Sequence, residues 1–211
     1  MDITDADLAT HGPWPMRRAV FAELIDRSCS SSVKSVYIGA IFQEPGDPKD
    51  DTWLVEAAGN CRKLILAATP ATLSSQETWL LKVIFGNVAY KPRRDGTVSQ
   101  ISVTPTASLP PAPFVLALHA IDGHVNRPFE PMEIKILAVR KPMQRVSLGQ
   151  LTEMPADELA KITRDRTILV GLNCGSWQTY VPVPWSDTML AHEFVAVAAA
   201  NCIAAIESQD D

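Results

Sequence analysis

The stretch AYKPRRDGTV holds three positive charges within four residues, at Lys91, Arg93 and Arg94. Clustered cations attract an extended negative target, such as an anionic membrane surface or a ribonucleoprotein. The pair Asp95 and Gly96 that follows is a strong short-range signal for a hairpin turn. The stretch therefore predicts an exposed hairpin shoulder that holds three cations together as an electrostatic binding site.

The chain around this cluster is acidic, with a net charge of −5 over 211 residues. Residues 1–60 have a net charge of −5, residues 61–145 of +6, and residues 146–211 of −6. A basic middle segment in an acidic chain indicates a charged partner. Because these cations flank predicted strand ends and turns, we expect several of them to share one edge of a sheet. The further members predicted for this basic face are Arg62, Lys63, Arg140, Lys141 and Arg145.

A thiol nucleophile is conceivable in the segment LNCGSW, at Cys174. Papain-like proteases carry a Cys-Gly-Ser-Cys-Trp motif, and the second cysteine of that motif is absent here. A catalytic thiol also needs a helix N-terminus or a cation to lower its pKa, whereas this segment runs into the proline-bearing QTYVPVP. A thiol-dependent enzyme that uses Cys174 is therefore kept as a second alternative only.

A metal site is the other chemistry considered. His119 and His124 flank Asp122 and Gly123, so a two-residue hairpin would place both imidazoles on one face. No Cys or carboxylate is placed to complete a zinc site. The chain also lacks a Gly-rich phosphate loop, a serine-hydrolase elbow and an HExxH motif. We expect no metal, no cofactor, no small-molecule substrate and no enzymatic activity.

The elements that must position these residues are predicted to be mainly strands. Alternating or continuous apolar runs, together with two Asp-Gly turns, indicate an α+β fold with an antiparallel β-sheet core in two layers and helices at both termini packed on it. Strands are predicted at 33–42, 52–60, 61–69, 77–91, 132–141, 167–172 and 178–184, a hairpin at 114–126, and helices at 12–28, 154–165 and 187–207.

The ends of the chain and its cysteines predict organisation and location. Residues 1–12 are expected to be a flexible acidic tail, and residues 13–211 a single domain. The four scattered cysteines suggest a reduced, cytosolic protein. The first twenty residues lack the apolar core of a signal peptide. The longest nearly apolar run, FVAVAAANCIAAI, is too short to span a bilayer, so no transmembrane segment is expected.

A pattern of short segments extends over roughly residues 35–185. KLILAATPATL precedes GNVAYKPRRDG, and APFVLALHAI, MEIKILAV, ADELAKI and TILVGL follow in strand–strand–helix–strand order. This pattern resembles the matrix proteins of nonsegmented negative-strand RNA viruses, especially the rhabdovirus type. The resemblance implies a matrix-like domain in a non-enzymatic structural protein of the virion.

What the resemblance implies in detail is self-assembly under a membrane during budding, in the virion and the host cytoplasm, peripheral at the inner face of that membrane. The basic face would then bind anionic lipid and the viral nucleoprotein of the nucleocapsid. A small cytosolic adaptor that recognises an acidic partner is the first alternative. The residues expected to mediate self-association into a homo-oligomer are Trp14, Pro110, Pro111 and Phe194.

Overall fold

The computed structural model describes residues 1–30, 32–80, 83–104, 107–122, 130–139, 143–175 and 179–208. Strands and helices alternate along much of this chain. In chain order the elements are β1 (Asp2–Ile3), α1 (Asp5–His11), α2 (Arg18–Cys29), β2 (Ser35–Ile38), α3 (Pro48–Asn60), β3 (Leu64–Ala68), α4 (Leu73–Trp79), β4 (Ile84–Asn87), β5 (Gln100–Val103), α5 (Ala112–Asp122), β6 (Met132–Lys135), α6 (Leu148–Glu153), α7 (Ala156–Thr163), β7 (Thr167–Leu172), β8 (Tyr180–Val183), β9 (Ser186–Leu190) and α8 (Ala191–Glu207).

The main sheet has five strands in the order β1-β7-β2-β3-β4, and every neighbouring pair in it is parallel. The antiparallel core predicted from the sequence is therefore wrong. Strands β2, β3 and β7 read SVYI, LILAA and TILVGL. Such short, continuous apolar runs are typical of parallel strands that helices cover on both faces. In the described part of the chain, antiparallel pairing is found in two small sheets, β5 with β6 and β8 with β9.

Helices cover both faces of the main sheet. In β2, Val36 and Ile38 pack into the core shared with α2 and α3, whereas Tyr37 packs into the core shared with α5 and α8. Strand β3 divides in the same way, with Leu64 and Leu66 on the first face and Ile65 on the second. Because successive side chains of a strand point to opposite faces, the domain has three layers, helix–sheet–helix.

The structure differs from the sequence prediction at residues 52–60, which lie in helix α3 and not in a strand. Asp47 accepts hydrogen bonds from backbone N–H groups of the first turn, and Pro48 occupies that turn. Leu54, Ala57 and Ala58 are buried at helical spacing. These capping residues and this spacing were signals for a helix that the apolar run TWLVEAAGN obscured.

Residues 112–122 form helix α5, where the sequence predicted a hairpin over residues 114–126. The helix packs against both the sheet and α8, and residues 112–119 are all buried. A helix that is apolar on every side loses the alternation that marks an amphipathic helix, so APFVLALHA looks like a strand. Two further predictions are wrong at one end: residues 77–79, predicted as part of a strand, end α4, and residues 187–190, predicted as part of the C-terminal helix, belong to β9.

A disulfide joins Cys29, the last residue of α2, to Cys61, which follows α3. The two Cα atoms are 5.8 Å apart across a sequence separation of 32 residues. The prediction that all four cysteines are reduced is wrong for this pair. Cys174 and Cys202 are free and buried.

Residues 1–12, predicted as a flexible tail, contain β1 and α1. Asp2 and Ile3 pair with β7 at the edge of the main sheet. Thr4 and Asp7 form a capping box at the start of α1, and Asp7 also accepts a hydrogen bond from the backbone N–H of Gly149 at 2.7 Å. The single domain predicted over residues 13–211 stays a prediction. No helix in the described ranges is both long enough and apolar enough to cross a membrane.

Candidate functional site

The parallel sheet changes direction of winding between β2 and β7. From β2 the chain proceeds to β3 and then β4 on one side, whereas β7 lies on the other side of β2. The chain after β2 leads to α3 on one face of the sheet, whereas the chain after β7 leads to α8 on the other face. In open α/β sheets a crevice forms at such a switch point, and ligands bind there.

A cavity of about 210 Å³ lies at this switch point, on the face of the sheet covered by α5 and α8. We call it the switch-point cavity. Apolar side chains form most of its wall, and no Asp, Glu, Lys or Arg is found among its described lining residues. The lining residues that carry or adjoin polar groups are Tyr37, Gly39, Tyr90, Gly171, Thr179 and His192.

Two tyrosines are among the residues that line the switch-point cavity. Tyr37 belongs to β2 and is buried, and Tyr90 follows β4 with its ring packed edge-to-face on Phe194 at a centroid distance of 4.9 Å. The Tyr90 hydroxyl oxygen is buried and has no hydrogen-bond partner among the described residues. Burial raises the pKa of both phenols, so both remain protonated at neutral pH. Each hydroxyl can thus donate a hydrogen bond.

His192, at the start of α8, forms part of the wall. Its ring lies directly against the backbone of Gly171, and a Cβ atom at that position would overlap the imidazole. Glycine is therefore needed in β7 because the ring occupies the space of a side chain. On the far side, the Nε2 atom of His192 is 3.0 Å from the Oδ1 atom of Asp2.

His192 also faces a second cavity of about 360 Å³ beside the edge of β7. We call this the charged groove, because its lining includes Asp2, Arg145 and Glu193. Asn173 donates a hydrogen bond to Asp2 at 3.0 Å, Arg145 lies 3.5 Å from Asp2, and Arg145 forms an ion pair with Glu193. Asp2, Arg145 and Glu193 are thus paired within the groove, whereas Arg166, also in its lining, donates to the side-chain carbonyl of Gln144.

The surroundings of the groove lower the pKa of both His192 and Asp2. Burial lowers the pKa of His192, although the hydrogen bond and the charge of Asp2 act in the opposite sense. Burial acts to raise the pKa of Asp2, but hydrogen bonds from Asn173 and His192 outweigh it and the pKa is lowered. At neutral pH the pair therefore consists of a neutral imidazole that donates to a carboxylate.

A third cavity, of about 650 Å³, opens on the other face of the sheet beside α2. Its lining includes Trp14, Phe21 and Phe42, whose rings pack edge-to-face in series. Arg17 makes two hydrogen bonds to Asp50, at 2.8 and 3.0 Å. This cavity also adjoins the carboxyl end of β2, since Ile41 lines both it and the switch-point cavity, but the Arg17 and Asp50 side chains in its lining already bind each other.

The basic face predicted from the sequence does not gather at one edge of the sheet. Lys91, Arg93 and Arg94 are exposed in the segment after the carboxyl end of β4. Arg62 and Lys63 are exposed before the amino end of β3. Because β3 and β4 are parallel, these two groups of cations lie at opposite ends of the strands. Arg145 lies in the charged groove, and Arg140 and Lys141 lie outside the described residues.

The residues predicted for self-association lie partly in the interior. Phe194 is fully buried in the core beneath Tyr90, and Pro111 is buried in a bridge to Asn87 of β4. Pro110 is half-buried, and its carbonyl accepts a hydrogen bond from Asn87. Trp14 is half-buried against Phe21. These positions give Phe194 and Pro111 roles in packing.

The sequence offered two candidates for chemistry, the thiol of Cys174 and the pair of imidazoles at His119 and His124. Cys174 is buried, and burial raises the pKa of its thiol, with Asp5 and Asp7 acting in the same sense. A nucleophilic cysteine requires the opposite shift. His119 lies on helix α5 and is buried, and His124 falls outside the described residues. Within the described ranges, no group of three or more His, Cys, Asp or Glu residues could hold a metal ion.

Sequence reasoning did not identify Tyr37, Tyr90 or Asp2 as members of a site. A signal was present in the glycines that interrupt two strands, Gly39 directly after β2 and Gly171 within β7. A glycine at the end of a buried strand indicates that another group approaches the backbone closely. The parallel order that brings the two strands together could not be read from these glycines.

The fold and the cavity define an α/β domain with an uncharged pocket at the switch point of its sheet. The family model of the CHASE2 domain matches residues 1–211, so the chain belongs to the CHASE2 domain family. CHASE2 domains are sensory domains of bacterial signalling proteins. No curated protein and no solved structure matches the chain.

The family overturns the resemblance to viral matrix proteins. The predicted role as a structural virion protein that binds anionic lipid, viral nucleoprotein and copies of itself is therefore wrong. The cytosolic adaptor and the thiol-dependent enzyme have no support either. The short apolar segments that resembled the matrix pattern are strands and helices of an α/β fold, where similar runs arise from burial.

Proposed function

We propose that this chain is a sensory domain that binds a small molecule in the switch-point cavity. The observation that carries the proposal is the position of this cavity, at the carboxyl ends of β2 and β7 where the sheet changes its direction of winding. The sensory role of the CHASE2 domain family supports it, since such domains respond to small-molecule ligands.

The domain binds its ligand and does not transform it. The described lining of the switch-point cavity contains no carboxylate, lysine or cysteine that could act as a base or a nucleophile. The one imidazole, His192, is held by Asp2 through its Nε2 atom. A hydrophobic wall with a few oriented hydrogen-bonding groups is typical of a recognition pocket.

The domain acts outside the cytoplasm. The disulfide between Cys29 and Cys61 supports this location, because structural disulfides form and persist in oxidising compartments. The family description as an extracellular sensory domain agrees with it. Quantifying free thiols in the denatured protein tests the location: two should react before reduction and four after it. Four reactive thiols in protein exported from the cytoplasm would contradict it.

A cavity-blocking variant tests the binding site. Thr179 is an exposed lining residue, so Thr179→Trp should close the entrance with little effect on the core. Thr52→Trp, on the exposed face of α3, is the matched control. We expect ligand-observed NMR of a small-fragment library to give hits with the wild type and Thr52→Trp that disappear with Thr179→Trp. Hits that survive in Thr179→Trp would place binding elsewhere.

A further inference from the structure

The third cavity, of about 650 Å³, combines an aromatic wall with an arginine that a buried acid holds in place. We call it the aromatic cavity, because Trp14, Phe21 and Phe42 belong to its lining. We propose that it binds a small carboxylate with a flat apolar body, whose carboxylate group pairs with Arg17. This proposal concerns a site separate from the switch-point cavity and does not rest on the proposed function.

Asp50 fixes the orientation of the Arg17 guanidinium. The Nε and Nη2 atoms of Arg17 donate to the two carboxylate oxygens of Asp50 at 3.0 and 2.8 Å. The side chain of Asp50 is 7% exposed and that of Arg17 is 71% exposed, so the acid is anchored in the fold while the arginine remains accessible in the lining. A guanidinium held in this way loses little further freedom when it binds a ligand.

The contact with Asp50 uses one edge of the guanidinium and leaves another edge open. Both protons of Nη1 and the second proton of Nη2 have no acceptor among the described residues. Together Nη1 and Nη2 present two parallel N–H groups, the arrangement that matches the two oxygens of a carboxylate. A ligand carboxylate can therefore bind Arg17 without displacing Asp50.

Other charged groups of the lining are committed to contacts within the protein. Asp47 accepts hydrogen bonds from backbone N–H groups in the first turn of α3, and Arg18 forms an ion pair with Asp51. Glu44, an exposed acid in the lining, opposes an anionic ligand, but solvent screens its charge. The donors that remain for a ligand are thus those of Arg17.

Apolar side chains determine the rest of the ligand. Trp14 is half-buried, and Ile41 is 40% exposed, so both offer accessible apolar surface. Phe21 and Phe42 support the Trp14 ring from behind, in edge-to-face contacts with centroid distances of 6.1 and 5.1 Å. Flat apolar groups pack well against such a wall. The volume of about 650 Å³ lies within the roughly 300–1,000 Å³ of small-molecule sites, so a body of two fused rings fits.

Three probes with the same two-ring body separate the charge requirement: 2-naphthoate (anionic), 2-naphthamide (neutral) and 2-naphthylmethylamine (cationic at pH 7). By NMR titration at pH 7, we expect 2-naphthoate to bind the wild type about fivefold more tightly than either of the others. Arg17→Lys keeps a cation beside Asp50 but lacks the two parallel N–H groups, so the preference for the acid over the amide should fall below about twofold. Arg94→Lys, which changes an exposed arginine outside the lining, is the matched control and should retain the preference.

Three further variants locate the bound probe and test its charge. Gln43→Trp, at an exposed residue of the lining, should abolish 2-naphthoate binding. Thr179→Trp, which closes the switch-point cavity, should leave it unchanged. Glu44→Gln removes the opposing charge, so it should strengthen 2-naphthoate about twofold and leave 2-naphthamide unchanged. The thermal midpoint of each variant shows that it is folded, and Glu44→Gln still tests the charge preference if Arg17→Lys does not fold.

The proposal is overturned if 2-naphthoate binds no more tightly than 2-naphthamide, if Arg17→Lys leaves the preference intact, or if Glu44→Gln does not strengthen 2-naphthoate. Loss of 2-naphthoate binding in Thr179→Trp would place the probe in the switch-point cavity, which overturns this proposal and leaves the proposed function standing. Absence of binding of all three probes to the wild type also overturns it.

Discussion

The switch-point cavity and the charged groove lie on either side of His192, but they differ in the charge of their lining residues. In the groove, Asp2 binds His192 and Asn173, and Arg145 binds Glu193. The described lining of the cavity contains no Asp, Glu, Lys or Arg side chain. Charged groups that pair with each other stabilise the fold, whereas a mostly apolar cavity is typical of a recognition pocket. The comparison therefore predicts that the groove contributes to stability, and it supports the proposal that the cavity binds a ligand.

Charge explains why the two regions differ. An ionised carboxylate as buried as Asp2 requires partners in the folded protein, since an unpaired buried charge is costly. An unpaired hydroxyl costs much less, so a protein can tolerate one beside a binding cavity. Substitutions in the groove should accordingly reduce stability, and substitutions in the cavity should mainly affect binding.

The largest effect is expected at the wall between the two regions. Gly171→Ala places a methyl group where the His192 ring lies, and the ring is held by Asp2, so the wall must move. We expect the free energy of unfolding to fall by about 3 kcal/mol. Gly59→Ala is the control, because a Cβ there meets nothing within 4 Å in helix α3, and it should be neutral or slightly stabilising. Urea denaturation measures both variants. Equal stability of the two would show that the His192 ring moves to accept the methyl group without loss of stability.

Removing the central acid of the groove should have the next largest effect. Asp2→Ala leaves the donors of His192 and Asn173 without their acceptor, at a cost of about 2 kcal/mol. Asp157→Ala removes an acid from an exposed ion pair with Lys161 and should cost less than about 0.5 kcal/mol. The same denaturation experiment compares them. A similar small loss in both variants would mean that the groove contributes no more than surface charge.

The pH dependence of stability should identify the neutral imidazole of the groove. The pKa of His192 is lowered by burial, so the unfolded chain takes up a proton near pH 6.5 while the folded chain does not. The free energy of unfolding should therefore fall below about pH 6.5, by at most about 1.4 kcal/mol per pH unit, until the folded pKa is reached. The lowered pKa of Asp2 acts at lower pH, where its contribution is lost as the carboxylate is protonated.

Denaturation between pH 7.5 and 5.5 isolates the histidine. His192→Gln should flatten the slope over this range, whereas His11→Gln, in α1 and outside the groove, should retain it. A slope that is unchanged in His192→Gln would assign the pH dependence to other groups and remove this distinction between groove and cavity.

The smallest effect on stability is expected in the cavity. Tyr90→Phe removes a buried hydroxyl that has no partner, so the free energy of unfolding should stay the same or rise by up to about 1 kcal/mol. Thermal unfolding without added ligand measures this effect. A loss above about 1 kcal/mol would reveal a hydrogen bond within the protein and would place the hydroxyl in the same class as the groups of the groove.

The sequence by itself determined several elements of this protein. Strands β2, β3 and β7 and helices α2 and α7 were predicted from local runs, because a buried strand is a short apolar run and an amphipathic helix buries one face. The unsuitability of Cys174 as a nucleophile was also visible from its neighbours. These features depend on residues that are close along the chain.

Only the tertiary structure decided the direction of the strands, the disulfide and the site. An apolar run has no direction, so SVYI and LILAA are compatible with parallel or antiparallel pairing. Helix α5 is buried on all sides, which removed its periodicity and led to the antiparallel prediction. The pairing of Cys29 with Cys61 and the meeting of Tyr37, Tyr90 and His192 are contacts between distant parts of the chain. Such contacts exist only once the sheet has ordered its strands, because local spacing does not determine which strand ends become neighbours.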